Sequence, residues 1–159
     1  MNLSRAMMPA RFAPIPLRLI VGFGFIEHGL AKLARGPDSF AHILQALGMP
    51  FPELLATATI LVELLGGAMV LLGLYLPLVS IPMSTVLLVA IFLVHLPNGF
   101  SSIKLQAVTA TGPHFGQPGY ETDLLYLACL AALVALGPGP LAIGAPHSSD
   151  RRGYQPPAE

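Results

Sequence analysis

Glu27, His28 and Lys32, then Glu63, then His95, then Glu121 and Asp123 interrupt stretches of the chain that are otherwise apolar. These side-chain types can exchange protons with a bound ligand or hydrogen-bond its polar atoms. Histidines and carboxylates brought together across helices can instead ligate a metal ion or a haem. Each such group costs several kcal/mol if it faces hydrocarbon, so its neighbours must supply a polar interior. His28 and Lys32 stand four residues apart and share a helix face, with Glu27 turned about 100° from His28. His42, His114 and His147 are isolated and lack the spacing of metal ligands. Gly22-x-Gly24 opens no strand-to-helix unit and reads as helix packing rather than as a phosphate loop.

The elements that must hold these groups are apolar runs, each measured against the ~20 helical residues that cross a bilayer core. They lie at about 16–34, 53–74, 77–96 and 120–136. The last is the shortest: its uninterrupted apolar part runs only from Leu124 to Leu136, so Glu121 and Asp123 belong at the interface. Pro77 can open the third helix, Pro82 lies inside it and bends it, and Gly137-Pro138-Gly139-Pro140 stops the fourth. Asp38-Ser39 followed by Phe40, Ile43, Leu44 and Leu47 predicts a short amphipathic helix lying on the membrane surface. Gly22, Gly24 and Gly29, Gly66-Gly67, and Ala128/Ala132 with Ala131/Ala135 offer the small surfaces by which helices approach in lipid. The expected fold is all-α, an integral membrane four-helix bundle over residues 16–140. A cytoplasmic N-terminal segment (1–15) precedes it and a disordered cytoplasmic tail (141–159) comes after it.

Composition agrees. Of 159 residues, 54% are hydrophobic and 10% charged, with mean hydropathy +0.71. A soluble domain carries about 25% charged residues to cover its surface. Eight basic and eight acidic residues cancel, which excludes nucleic acid and other polyanions as partners and leaves the lipid bilayer as solvent. Cys129 is the single cysteine, so neither an internal disulfide nor a Cys-x-x-Cys redox pair can form. Arg5, Arg11, Arg18, Arg151 and Arg152 collect on the side of both termini, whereas the two long loops offer Arg35 and Lys104. That asymmetry places both termini in the cytoplasm. His28, Lys32 and His95 then lie in the outer half of the bilayer, Glu121 at the outer surface and Glu63 near the middle. Taken singly, each has an ordinary structural explanation: a His28–Glu63 pair that fixes packing, or Lys32 and Glu121 snorkelling to the headgroups.

The ordered set of short motifs resembles the DoxX family of small four-helix membrane proteins, which includes the DoxD-type subunit of thiosulfate:quinone oxidoreductase. It begins with Arg18, Phe25-x-x-His28-Gly29-x-x-Lys32 and Leu47-Gly48-Met49-Pro50-Phe51-Pro52. Glu63-Leu64-x-Gly66-Gly67, Leu72-Gly73, His95 and Asn98-Gly99-Phe100 come next. Gly119-Tyr120-Glu121, Leu124-Leu125-Tyr126 and Gly137-Pro138-Gly139 close it. Glu27 departs from the pattern, standing where an apolar residue is expected. So does the ending Pro140-Leu141-Ala142-Ile143-Gly144, where members often continue with a Ser-x-Asp-like run. The resemblance implies a bacterial inner-membrane protein tied to quinone-linked redox chemistry or redox stress.

On that basis His28, Lys32 and His95 are expected to bind a quinone headgroup. His28 and His95 would hydrogen-bond its carbonyls, and Glu63 or Glu121 would exchange protons with the outer side. No flavin, haem or iron–sulfur motif is visible, so electrons are expected from partner subunits; a homo-oligomer is the alternative assembly. Two other readings stand beside this one. One is a non-catalytic structural or assembly subunit; the other has His28, Glu63, His95 and Glu121 ligating a metal or haem.

Overall fold

A computed structural model describes residues 10–143. The sites of Arg5, His147, Arg151 and Arg152, and the tail from Gly144 onward, lie outside the described residues.

Five helices carry the fold: α1 (Pro14–Arg35), α2 (Pro37–Ala46), α3 (Pro52–Leu72), α4 (Leu76–Ala90) and α5 (Glu121–Leu136). Proline opens the first four at their first or second position, where its missing N–H is no loss. Glycine closes α1, α3 and α5 at Gly36, Gly73 and Gly137. At the end of α3, Gly73 takes φ +70°, so Gly73 N–H reaches Val70 O at 3.0 Å and Leu74 N–H reaches Met69 O at 2.8 Å. Without that left-handed residue the chain could not turn into α4 within three residues.

The long helices close into a ring in which α1 and α4 each pack against α3 and α5. The α1–α3 contact is the tightest. A Cβ at Gly22 would lie 2.7 Å from Gly67 O, and one at Gly29 would lie 2.9 Å from Leu64, so the backbones touch. Gly66 makes room for Met83. In α5 the contact residues are Leu130 and Leu133; Ala128, Ala131 and Ala135, expected to pack, face outward. Helix rotation decides this, and an alanine stripe alone does not fix it.

One core cluster gathers Val21, Phe25, Val70, Met83, Leu130 and Leu133 around the ring. A second joins Ala41 and Leu44 of α2 to Ala56 of α3, so the amphipathic helix lies across the far end of α3.

The surface is as informative as the core. Leu19 and Phe23 of α1, Leu61 and Leu65 of α3, Leu78 and Phe92 on and just beyond α4, and Leu125 of α5 are all at least half exposed. Meanwhile Arg18, Glu63 and Asp123 are buried. By length and hydropathy two helices among the described residues are fit to cross a membrane: Pro52–Leu72 at mean hydropathy 2.1 and Leu76–Asn98 at 2.3. The other two miss for identifiable reasons. α1 carries Arg18, Glu27, Lys32 and Arg35. α5 has 16 residues, a length of roughly 24 Å against a core of about 30 Å.

The long connection from Leu96 to Tyr120 departs from the all-helical expectation. It holds an antiparallel hairpin, β1 (Leu105–Thr109) with β2 (Gly112–Phe115), whose register slips between Leu105 and Ala107. Ala110 and Thr111 make the turn, and Gly112 at φ +121° leads out of it into β2.

Candidate functional site

Two pairs of ionisable groups lie at the α2 end of the ring. Lys32 Nζ donates to both carboxylate oxygens of Glu63, at 2.5 and 2.7 Å, across the α1–α3 contact. The same ammonium sits 5.0 Å from the centroid of the Phe40 ring on α2, so one cation joins three helices. Glu63 is 4% exposed; a charge that deep persists only because its partner is in place.

His95 Nδ1 meets Asp123 Oδ2 at 2.5 Å. Both ends of this pair depend on local backbone. After Ala90 the third long helix continues as a π-turn, Ile91–His95, and then a short tight turn to Asn98. The wider turn adds a residue and swings the chain beyond it by roughly 100° about the axis. Asp123 lies in the first turn of α5, where a negative charge is favoured.

Both pairs line a cavity of about 870 Å³. Its polar wall is made by His28, Lys32, Glu63, His95, Asp123 and Tyr126. Phe25 and Tyr126 form an edge-to-face aromatic pair there, centroids 5.6 Å apart. Gly24 is needed for that placement, because a Cβ on it would overlap the Tyr126 hydroxyl. From the polar wall the cavity continues along Ile81, Pro82, Thr85, Val89 and Leu93, the exposed side of α4. Phe40 and Leu44 of α2 cover it.

Several of these polar atoms have no protein partner. Among the described residues nothing bonds either ring nitrogen of His28, Nε2 of His95 or the Tyr126 hydroxyl. The only fully buried side-chain polar atom left unpaired among those residues is Ser80 Oγ, elsewhere in the bundle. His28 is exposed, and the three residues that carry these free atoms all line the cavity.

The structure thus brings His28, Lys32, Glu63 and His95 to one space. Glu121 is not on that wall: its Oε2 accepts from Ser102 N–H at 3.0 Å and fastens the long connection to the start of α5. Asp123, two residues on and so on the opposite side of the helix, takes the place beside His95. Glu63 pairs with Lys32 and not with His28, and Glu27 is exposed away from the cavity. Sequence reasoning passed over Asp123, Tyr126 and Phe40 as site residues. The signal for Asp123 was an acid in the first turn of an apolar helix; Tyr126 lies one turn further along the same face. Among the described residues no group of three or more His, Cys, Asp or Glu is arranged to hold a metal ion.

Arg18 is a different kind of buried charge. At 5% exposure, its guanidinium donates to Val70 O at 3.2 Å, Pro138 O at 3.0 Å and Pro140 O at 3.3 Å, and also to Leu71 O and Leu141 O. It binds the end of α3 to the segment after α5.

The model of the DoxX family matches residues 13–96, just over half of the chain, and takes in His28, Lys32, Glu63 and His95. No curated protein and no solved structure matches the chain.

Proposed function

The chain belongs to the DoxX family, and from that premise we propose that its cavity holds a quinone headgroup for a membrane oxidoreductase. The observation that carries the reading is the shape of the cavity's chemistry. Unpaired polar atoms from α1, the π-turn and α5 cluster at one end beside an aromatic pair, and an apolar slot leads from them along the exposed side of α4. An amphiphile with a flat polar ring and a hydrocarbon tail fits such a space. His28 supplies a hydrogen bond to one ring oxygen, the free Nε2 of His95 accepts from the hydroxyl of the reduced ring, Lys32 supplies a nearby positive charge, and the slot a path for the tail.

All four long helices cross the membrane in this reading, because each presents large apolar side chains outward while Arg18, Glu63 and Asp123 are buried between them. The α2 end lies outward, and both termini lie in the cytoplasm of a bacterial inner membrane. Arg18 contributes little to that orientation, since backbone carbonyls already occupy its guanidinium. Arg11 on the terminal side supports it. The sequence has no motif for a flavin, haem or iron–sulfur centre, so electrons pass to or from a partner subunit.

Reconstitution in lipid nanodiscs and titration with a short-tailed ubiquinone or menaquinone tests the reading. Saturable binding that is lost in the His28→Ala/His95→Ala double variant is expected; undiminished binding in that variant rules the site out. A structural subunit without chemistry is the second reading, favoured by the backbone contact at Gly22 and Gly67. It expects Gly67→Leu to abolish assembly while His28→Ala leaves the complex fully active.

A further inference from the structure

We infer that Asp123 positions His95 as the proton-exchanging group of the cavity, and that the Lys32–Glu63 pair takes no part in the exchange. The inference rests on the quinone reading for the identity of the ligand and on the geometry of the two pairs for everything else.

An ionised carboxylate only accepts hydrogen bonds, so the 2.5 Å contact places the hydrogen on Nδ1 of His95. Nε2 is then the nitrogen with a lone pair, and it has no partner among the described residues on a side chain that lines the cavity. A proton arriving at Nε2 makes an imidazolium whose charge is met at once by Asp123, which is itself buried. The step balances. His95 Nε2 takes the proton of a ligand hydroxyl, the O–H bond breaks as the N–H bond forms, and the electron pair stays on the ligand oxygen. No electron moves in it.

The other titratable groups on the same wall are His28 and Lys32 from α1, Glu63 from α3 and Tyr126 from α5. None of them hydrogen-bonds His95. Lys32 meets both oxygens of Glu63, so protonating that carboxylate would strand the ammonium. His28 has no carboxylate behind it to balance a positive charge. The π-turn points the same way, since it breaks the helical register over the five residues that end at His95. Asp123 is a positioning residue here, because it acts through the imidazole.

The test uses the full chain in nanodiscs, with histidine nitrogens labelled and His95 identified by its loss in His95→Gln. In the wild type His95 shows the Nδ1–H tautomer, and in Asp123→Asn that preference disappears. Ubiquinone-1, which only accepts hydrogen bonds, binds Asp123→Asn within about threefold of the wild type. Anaerobic ubiquinol-1 binds about tenfold more weakly. Asp123→Glu restores the tautomer and the ubiquinol-1 affinity. Equal weakening of the two ligands, or no change in either, overturns the inference. If neither ligand binds the wild type, the quinone reading falls. The His95 signals then decide the rest: an unaltered tautomer in Asp123→Asn overturns the positioning role, and its loss upholds it.

Discussion

The two ends of the helix ring bury charge in opposite ways. Around Arg18, backbone carbonyls from α3 and from the segment after α5 take up every nitrogen of the guanidinium. Around His95, each ionisable group of the two pairs has one partner, and neighbouring polar atoms remain free on the wall of a large cavity. Burial alone does not distinguish a structural charge from a working one. The distinction lies in what is left over once every partner has been counted: nothing at the first end, and an imidazole nitrogen, a phenol and a second imidazole at the other. Lys32–Glu63 stands beside the cavity but obeys the first pattern.

The largest expected effect breaks the closed end. Arg18→Met leaves carbonyls of α3 and the closing segment unpaired and costs about 5 kcal/mol, seen as a collapse of thermal stability in detergent. Arg18→Lys, with a point charge in place of a fork, falls between. A variant as stable as the wild type would erase the contrast.

Next comes the pair at the cavity. Lys32→Met alone strands the Glu63 carboxylate and destabilises by about 3 kcal/mol, whereas Lys32→Met/Glu63→Met recovers to within about 1 kcal/mol of the wild type. Strict additivity of the two substitutions would show that they do not interact.

Gly24→Ala pushes on the Tyr126 hydroxyl and costs about 2 kcal/mol. In the Tyr126→Phe background the oxygen is gone but the ring edge still lies 2.8 Å from the added Cβ, so the same change costs less, about 1 kcal/mol. Smallest is Glu121→Gln, which weakens the acceptor for Ser102 N–H by about 1 kcal/mol and leaves quinone binding unchanged. Loss of binding there would put Glu121 back among the site residues.

Much of the architecture is written in local signals. Hydropathy marks the long helices, and proline before with glycine after marks their ends, because one lacks a donor and the other tolerates positive φ. The helix after Gly36 is legible from its apolar spacing. Partner choice is not local. His28 and Lys32 share a face, and which of them meets Glu63 depends on how far α3 slides along α1, a distance set by the Gly22–Gly67 contact. Glu121 and Asp123 are two residues apart, so a modest rotation of α5 decides which one reaches His95. The π-turn has no signature in Ile91–His95, where every residue but the last is apolar. The hairpin is legible only from Gly112, since its strands are short and exposed throughout or nearly so.

The arrangement at Arg18 also sets an order of events. This arginine leaves the ribosome early, yet Pro138, Pro140 and Leu141, which supply three of its acceptors, are among the last described residues to emerge. Until then the cation lies in a nascent helix with three of its five hydrogen bonds unmade. A product truncated before Pro138 therefore keeps a fault that later insertion cannot repair. The cell's proteases have a physical mark by which to tell an unfinished chain from a complete one.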